Sequence, residues 1–325
     1  MQVNTVLGPV STNELGYTLM HEHVMIADRA MRAAWPEWIN LKEFYDYADR
    51  YIARGKRHGV RTIVDVTPFQ LGRDASVIRD VAERAQVNII AATGFFWAPA
   101  IVLCDKSADF MTKMLVRDLE HGMEGTDVKA GVIKCGTSGD ALTELDARIF
   151  TATVQAHQQT GAPILTHSSS KQGALAQMEF FDRFAGLDNS KIVIGHVGDH
   201  NDVDFLESVA DAGYLIGEDR LGVDRRHPDQ LASETRVENI IALWKRGKLS
   251  SIAMAHDASI YIDYWEGKKD LGCPWDMIRE FDTEKLEFQF GFISEFVVPR
   301  LLAAGMTQAD IDQILVGTPR RFFEA

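Results

Sequence analysis

Cysteine is scarce: Cys104, Cys135 and Cys273 are the only three in 325 residues, odd in number and far apart. That count argues against a disulfide framework, and thiols kept reduced fit a cytoplasmic setting. Basic charge is also in short supply. Lysine and arginine total 34 against 47 acidic residues, giving a formal charge of −13, so the basic face that a phosphate backbone or an anionic membrane requires is not provided. Neither nucleic acid nor a membrane is an expected partner. No apolar run approaches the roughly 18 residues of a membrane span. The opening MQVNTVLGPVSTNELGYTLMHEH lacks the basic start and apolar stretch of a signal peptide or anchor. Linkers rich in proline, glycine or serine and low-complexity tracts are missing as well, so a single domain over residues 1–325 is expected.

What is present is the balance of a globular chain with a sizeable core, 46% hydrophobic and 25% charged. Short runs rich in Val, Ile and Leu recur between longer stretches of helical period. They predict strands at Tyr17–His23, Val60–Thr67, Asn88–Gly94, Ala130–Gly136, Pro163–Ser168, Ile192–Gly198, Tyr214–Arg220 and Ser251–Ala258. Most are continuously apolar, as parallel strands covered on both faces are. Segments such as Leu41–Gly59, Asp74–Gln86, Leu142–Gly161 and Asn201–Gly213 are long enough for crossover helices. Eight β-α units in a row predict an α/β fold closed as a TIM (β/α)8 barrel. Thr307 with Asp310 three residues on marks the start of the last helix. From about residue 258 to 287, and most plainly over Asp263–Glu287, periodicity gives way to a long loop, which in a barrel sits over the active site.

Polar, metal-competent residues fall at or just past the C-terminal ends of five of these strands. His21 and His23 close the first, and two-residue spacing on a strand points both to one face, with Glu22 pointing away. Lys134 lies in the apolar strand AGVIKCG, where a buried ammonium is costly. The residues alone leave two readings of it: a lysine paired with a carboxylate, or an amine whose lowered pKa lets it take up carbon dioxide as a carbamate that bridges two metals. His167 and His196 each follow an apolar run and suit zinc, cobalt or manganese. Asp257, in SIAMAHDAS, is of a type that both ligates metal and takes a proton from bound water, while its neighbour His256 faces the other way. Each histidine alone is also an ordinary structural residue. Placed at one barrel mouth, four imidazoles, a carboxylate and a carbamate form a ligand set for two divalent cations.

HEH at 21–23, VIK ending at 134, THS around 167, GHVGD from 195 and AHD ending at 257 resemble the phosphotriesterase family of the amidohydrolase superfamily, over nearly the whole chain. The resemblance implies a binuclear centre, with zinc the first expectation and cobalt, manganese or iron as alternatives, and with Lys134 as the carboxylated bridge. His21, His23 and Asp257 are then expected on the more buried ion and His167 and His196 on the more exposed one. A bridging hydroxide is expected to attack the substrate, Asp257 to collect its proton, and Asp199 to relay it outward; the plain alternative for Asp199 is a helix-capping turn residue. A homodimer is implied too.

Two positions bear on substrate. Arg220 stands where specialised organophosphate hydrolases of the family carry histidine and lactonase-like members carry arginine, whereas Phe96 replaces the lactonases' usual tyrosine. Phe96 and Trp97, with Trp265 and Trp275 in the long loop, are candidate substrate-binding residues for a hydrophobic acyl or aryl group, their plain alternative being packing. The expected activity is hydrolysis of a lactone or related carboxylic ester with promiscuous phosphotriester turnover. The alternatives are an amide or carbamate hydrolase, a true organophosphate triesterase, and a ligand-binding protein on a retained barrel.

Overall fold

A computed structural model describes residues 1–96, 101–137, 139–225, 230–263 and 290–324. A short antiparallel hairpin opens the chain, β1 (Gln2–Thr5) against β2 (Gly8–Ser11). Then follow β3 (Tyr17–Ile26), β4 (Val60–Asp65), β5 (Asn88–Gly94), β6 (Val132–Thr137), β7 (Ile164–Ser168), β8 (Ile192–Ile194), β9 (Leu215–Glu218), β10 (Ile252–Met254) and β11 (Ser259–Ile262). Among the described residues β3 to β11 form one parallel sheet in which each strand from β3 to β10 lies beside the next in sequence, with β10 on β9 at one end and β11 on β3 at the other. This is a TIM barrel.

The barrel closes in a way that periodicity does not reveal. The expected eighth strand is split: β10 pairs with the seventh barrel strand, β11 with the first, and Ala255–Ala258 changes partner between them. Backbone bonds complete the seam, Asp257 N–H to the His21 carbonyl at 3.1 Å and His23 N–H to the Ala258 carbonyl at 2.9 Å. Residues 259–262, expected in the long loop, are therefore strand. The remainder of that loop, from 264 to 287, lies outside the described residues.

Helices such as Leu41–Arg57, Ala75–Ala85, Glu144–Thr160 and Val203–Asp211 pack on the outside, and their starts are set by side-chain caps from Asn40, Asp74, Thr143 and Asp202. The Thr307–Asp310 capping box forms as expected. Two cores result. One lies between sheet and helices. The other fills the barrel with Met20, Val64, Ile90, Val132, Leu165, Val193, Leu215 and Ala253, one residue from each of eight strands, and Leu15 and Phe322 join it. Gly94 ends β5 at φ +127°, where a Cβ would collide with the Lys134 backbone, so only glycine lets β5 approach this closely. No helix among the described residues is long and apolar enough to cross a membrane.

Candidate metal centre

Side chains reach the barrel mouth partly through breaks in strand regularity. Met20 belongs to the barrel interior, so strict alternation would turn His21 outward. The pairing of β3 with β4 shifts register between Leu19 and Glu22, and both His21 and His23 face inward. Lys134 and His167 follow ordinary alternation from Val132 and Leu165. His196 and Asp257 do not: both sit past their strands in left-handed backbone, at φ +63° and +51°, two of four such non-glycine residues among those described. Strain of this kind concentrates at functional sites.

The six groups converge. His21 Nε2 lies 3.5 Å and His23 Nε2 3.3 Å from Asp257 Oδ1. His196 Nε2 is 4.0 Å from Asp257 Oδ2 and 2.8 Å from His167 Nδ1. Lys134 Nζ is 3.3 Å from His21 Nε2. His21, His196 and Asp257 each present a ligand atom within 4.8 Å of the others. Such crowding of nitrogen lone pairs and carboxylate oxygens around one point is the donor set of a divalent cation.

Burial sets the protonation states. It pushes His21 down to about 3, with nearby Lys134 adding to the effect, and it holds His167 well below the ordinary histidine value. Both are neutral, as ligands must be. Burial also lowers Lys134 to about 8. Roughly one amine in ten is then uncharged at pH 7, against about one in three thousand at the ordinary value, and only the uncharged amine adds carbon dioxide. For Asp257 burial opposes ionisation, but the Arg220 guanidinium and a hydrogen bond with His23 outweigh it and hold the carboxyl well below its usual range. Arg220 spans Asp257 Oδ2 through Nε and Asp199 Oδ2 through Nη1, both at 2.8 Å, and Arg236 Nη1 lies 2.8 Å from Asp199 Oδ1. Phe96 packs edge-on to the His167 ring at 5.3 Å, its N–H donating to Gln70 Oε1 at 3.0 Å. Trp97, Trp265 and Trp275 lie outside the described residues.

The model of the phosphotriesterase family matches residues 1–323. The chain belongs to that family. A phosphotriesterase homology protein of Mycobacterium tuberculosis is 35% identical over 99% of this chain and 98% of its own length. An aryldialkylphosphatase of Saccharolobus solfataricus is 29% identical over 97% and 96%, and an N-acetyltaurine hydrolase of Rattus norvegicus 27% identical over 99% and 97%. A phosphotriesterase-family hydrolase with a His/Asp cluster able to hold metal is thus established.

Sequence reasoning missed the groups that orient this family member's imidazoles. Asp219 is buried and lies 3.0 Å from His21 Nδ1 and 2.9 Å from His196 Nδ1, turning both Nε2 atoms inward. Thr67 Oγ1 does the same for His23, 2.8 Å from its Nδ1. Alternation from Leu215 through Gly217 is the signal that places Asp219 on the inner face.

Glu218, one residue earlier, faces the helix layer fully buried, and neither of its carboxyl oxygens has a hydrogen-bond partner among the described residues. Burial raises its pKa well above the ordinary value of 4.5. The unfolded chain therefore releases this proton at lower pH than the fold does, a penalty absent below pH 4.5 that grows as pH rises toward the folded value. Glu218→Gln is expected to gain about 1–3 kcal/mol in urea unfolding at pH 8 and nothing near pH 4.5. A loss at pH 8 would contradict this.

Proposed function

We propose that the chain is a metal-dependent hydrolase of lactones or related carboxylic esters, with slow turnover of phosphotriesters. The observation that carries this reading is the meeting of four imidazoles, Asp257 and a desolvated Lys134 at one rim. His21, His23 and Asp257 would hold one divalent cation and His167 and His196 another, with carboxylated Lys134 between. Zinc suits this set, with cobalt, manganese or iron as alternatives. When bound, the pair brings the pKa of water near neutrality and polarises the substrate's oxygen.

The chain's own groups do the rest. Asp257, kept ionised, accepts the proton of the attacking water on its carboxylate. Arg220 fixes that carboxylate through Nε. A guanidinium does not give up a proton near neutral pH, so Asp199, reached through Arg220, anchors the arginine in this reading and does not relay. Phe96 against His167 offers an apolar wall to the acyl group. The same reading takes the protein to be a cytoplasmic homodimer, testable by sedimentation.

An amide is the second reading. Phe96 favours it by removing the lactonases' hydroxyl, and one relative is an N-acetyltaurine hydrolase. Assaying metal-loaded protein on acyl-homoserine lactones, aryl esters, anilides and aryl dialkyl phosphates separates the two. Lactones or esters are expected to lead in kcat/KM; leading anilides would favour the amide reading, and leading triesters or no turnover would overturn the first. Phe96→Tyr is expected to raise lactone kcat/KM about tenfold, a fraction of what one well-placed oxyanion donor supplies. An unchanged or lower value would show that the ring does not face the reacting oxygen.

A further inference from the structure

Asp257 sits at φ +51° in the gap where the eighth strand changes partner. Outside glycine that backbone carries some strain, and it persists where the surrounding structure holds it. On the inner side Asp257 N–H is tied to the His21 carbonyl. On the outer side stands Glu22, the middle residue of HEH, fully buried and turned away from the metal ligands. Its Oε1 accepts from His256 N–H at 3.0 Å and lies 2.7 Å from His256 Nδ1, and its Oε2 accepts from Ala258 N–H at 2.9 Å. One carboxylate thus straddles Asp257, gripping the residue on each side. His256 is held in turn: Ile293 N–H donates to its Nε2 at 3.2 Å, which leaves the ring proton on Nδ1 for Glu22. Phe290 stacks on the ring at 6.0 Å.

Deepening the metal-centre reading, on which this rests, we propose that Glu22, backed by His256, is a positioning residue that fixes the left-handed turn and so aims the Asp257 carboxylate into the centre from behind the sheet. HEH then works on both faces of β3, its histidines inward as ligands and its glutamate outward on the turn that delivers a ligand from the far end of the chain. A carboxylate fits this place because the three converging groups are all donors and it accepts from each without donating.

Glu22→Gln keeps size and shape but sets an NH2 group against one of those donors. His256→Asn keeps a donor near the Nδ1 position, and His256→Leu removes it. Thr62→Val, which deletes a buried bond of 2.6 Å to the Leu15 carbonyl at the opposite end of the barrel, controls for general destabilisation. Metal-free proteins are titrated with cobalt(II) and followed by the visible spectrum of the bound ion and by steady-state kinetics. The expected result is wild-type binding and spectrum in Thr62→Val, and affinity at least tenfold weaker with an altered spectrum in Glu22→Gln and His256→Leu. Their kcat should fall more than KM changes, and His256→Asn should lie closer to wild type. Should Glu22→Gln fail to fold, His256→Leu carries the comparison. Wild-type affinity and spectrum in the folded variants, or an equal loss in Thr62→Val, would overturn the proposal. If the wild type itself takes up no cobalt, the metal-centre reading fails separately, and a crystal structure of Glu22→Gln decides: Asp257 leaving the left-handed region supports positioning, and Asp257 unmoved refutes it.

Discussion

Lys134→Ala is expected to lose metal and turnover together. In wild-type protein saturated with zinc, two ions per chain are expected after gel filtration; in the variant, one at most, with kcat/KM lower by on the order of 10³-fold, about 4 kcal/mol of barrier. The reason lies in the lysine's surroundings. Its Nζ is buried among His21 and the Thr166 carbonyl, a poor place for a permanent cation and a good one for a neutral amine. Carboxylation turns that neutral group into an anion with two oxygens, matched to a pair of cations. Protein reconstituted with 13C-labelled bicarbonate should show the label on nitrogen only when Lys134 is present. Two ions and full rate in Lys134→Ala would leave the lysine a structural role alone.

Asp219→Asn is expected to weaken metal binding, although Asp219 reaches the centre only through two imidazoles. Its carboxylate faces His21 Nδ1 and His196 Nδ1 and also accepts from His196 N–H at 3.1 Å. It therefore sets which nitrogen of each ring carries the proton. An amide in its place offers one acceptor where two imidazoles need one each, and a ring that flips or changes tautomer no longer presents its Nε2 lone pair. Zinc affinity is expected to fall by about 10–100-fold, the usual effect of removing such a supporting group, with activity recoverable at high zinc. Wild-type affinity by competition with a chromophoric chelator would contradict this.

The barrel and the polar residues gathered at its mouth were legible because hydrophobic runs mark strands and polar residues at run ends mark the mouth. Lys134, His167 and Asp257 stand out against apolar neighbours, and His21 and His23 share a two-residue step. The departures were not legible, since each depends on backbone conformation. The register shift at Leu19–Glu22 turns His21 inward beside an inward Met20, and the left-handed turns at His196 and Asp257 carry those side chains round a corner. A run of apolar letters does not show that one strand is shared between two partners, as β10 and β11 are. The hairpin of β1 and β2 lacked a signal for a related reason: its strands are four residues each, too short for a period to emerge. Substrate choice is the least legible part, because Arg220 matches the lactonase-like members while Phe96 departs from them, and the aromatic residues of the long loop carry no period.

Anomalous scattering from crystals of the zinc-loaded protein locates the ions. Two peaks are expected roughly 3.5–4 Å apart, enclosed by His21, His23, His167, His196 and Asp257, with carboxyl density on Lys134 Nζ between them. A bare Lys134 beside fully occupied ions, or no peak among these residues, would contradict the metal-centre reading.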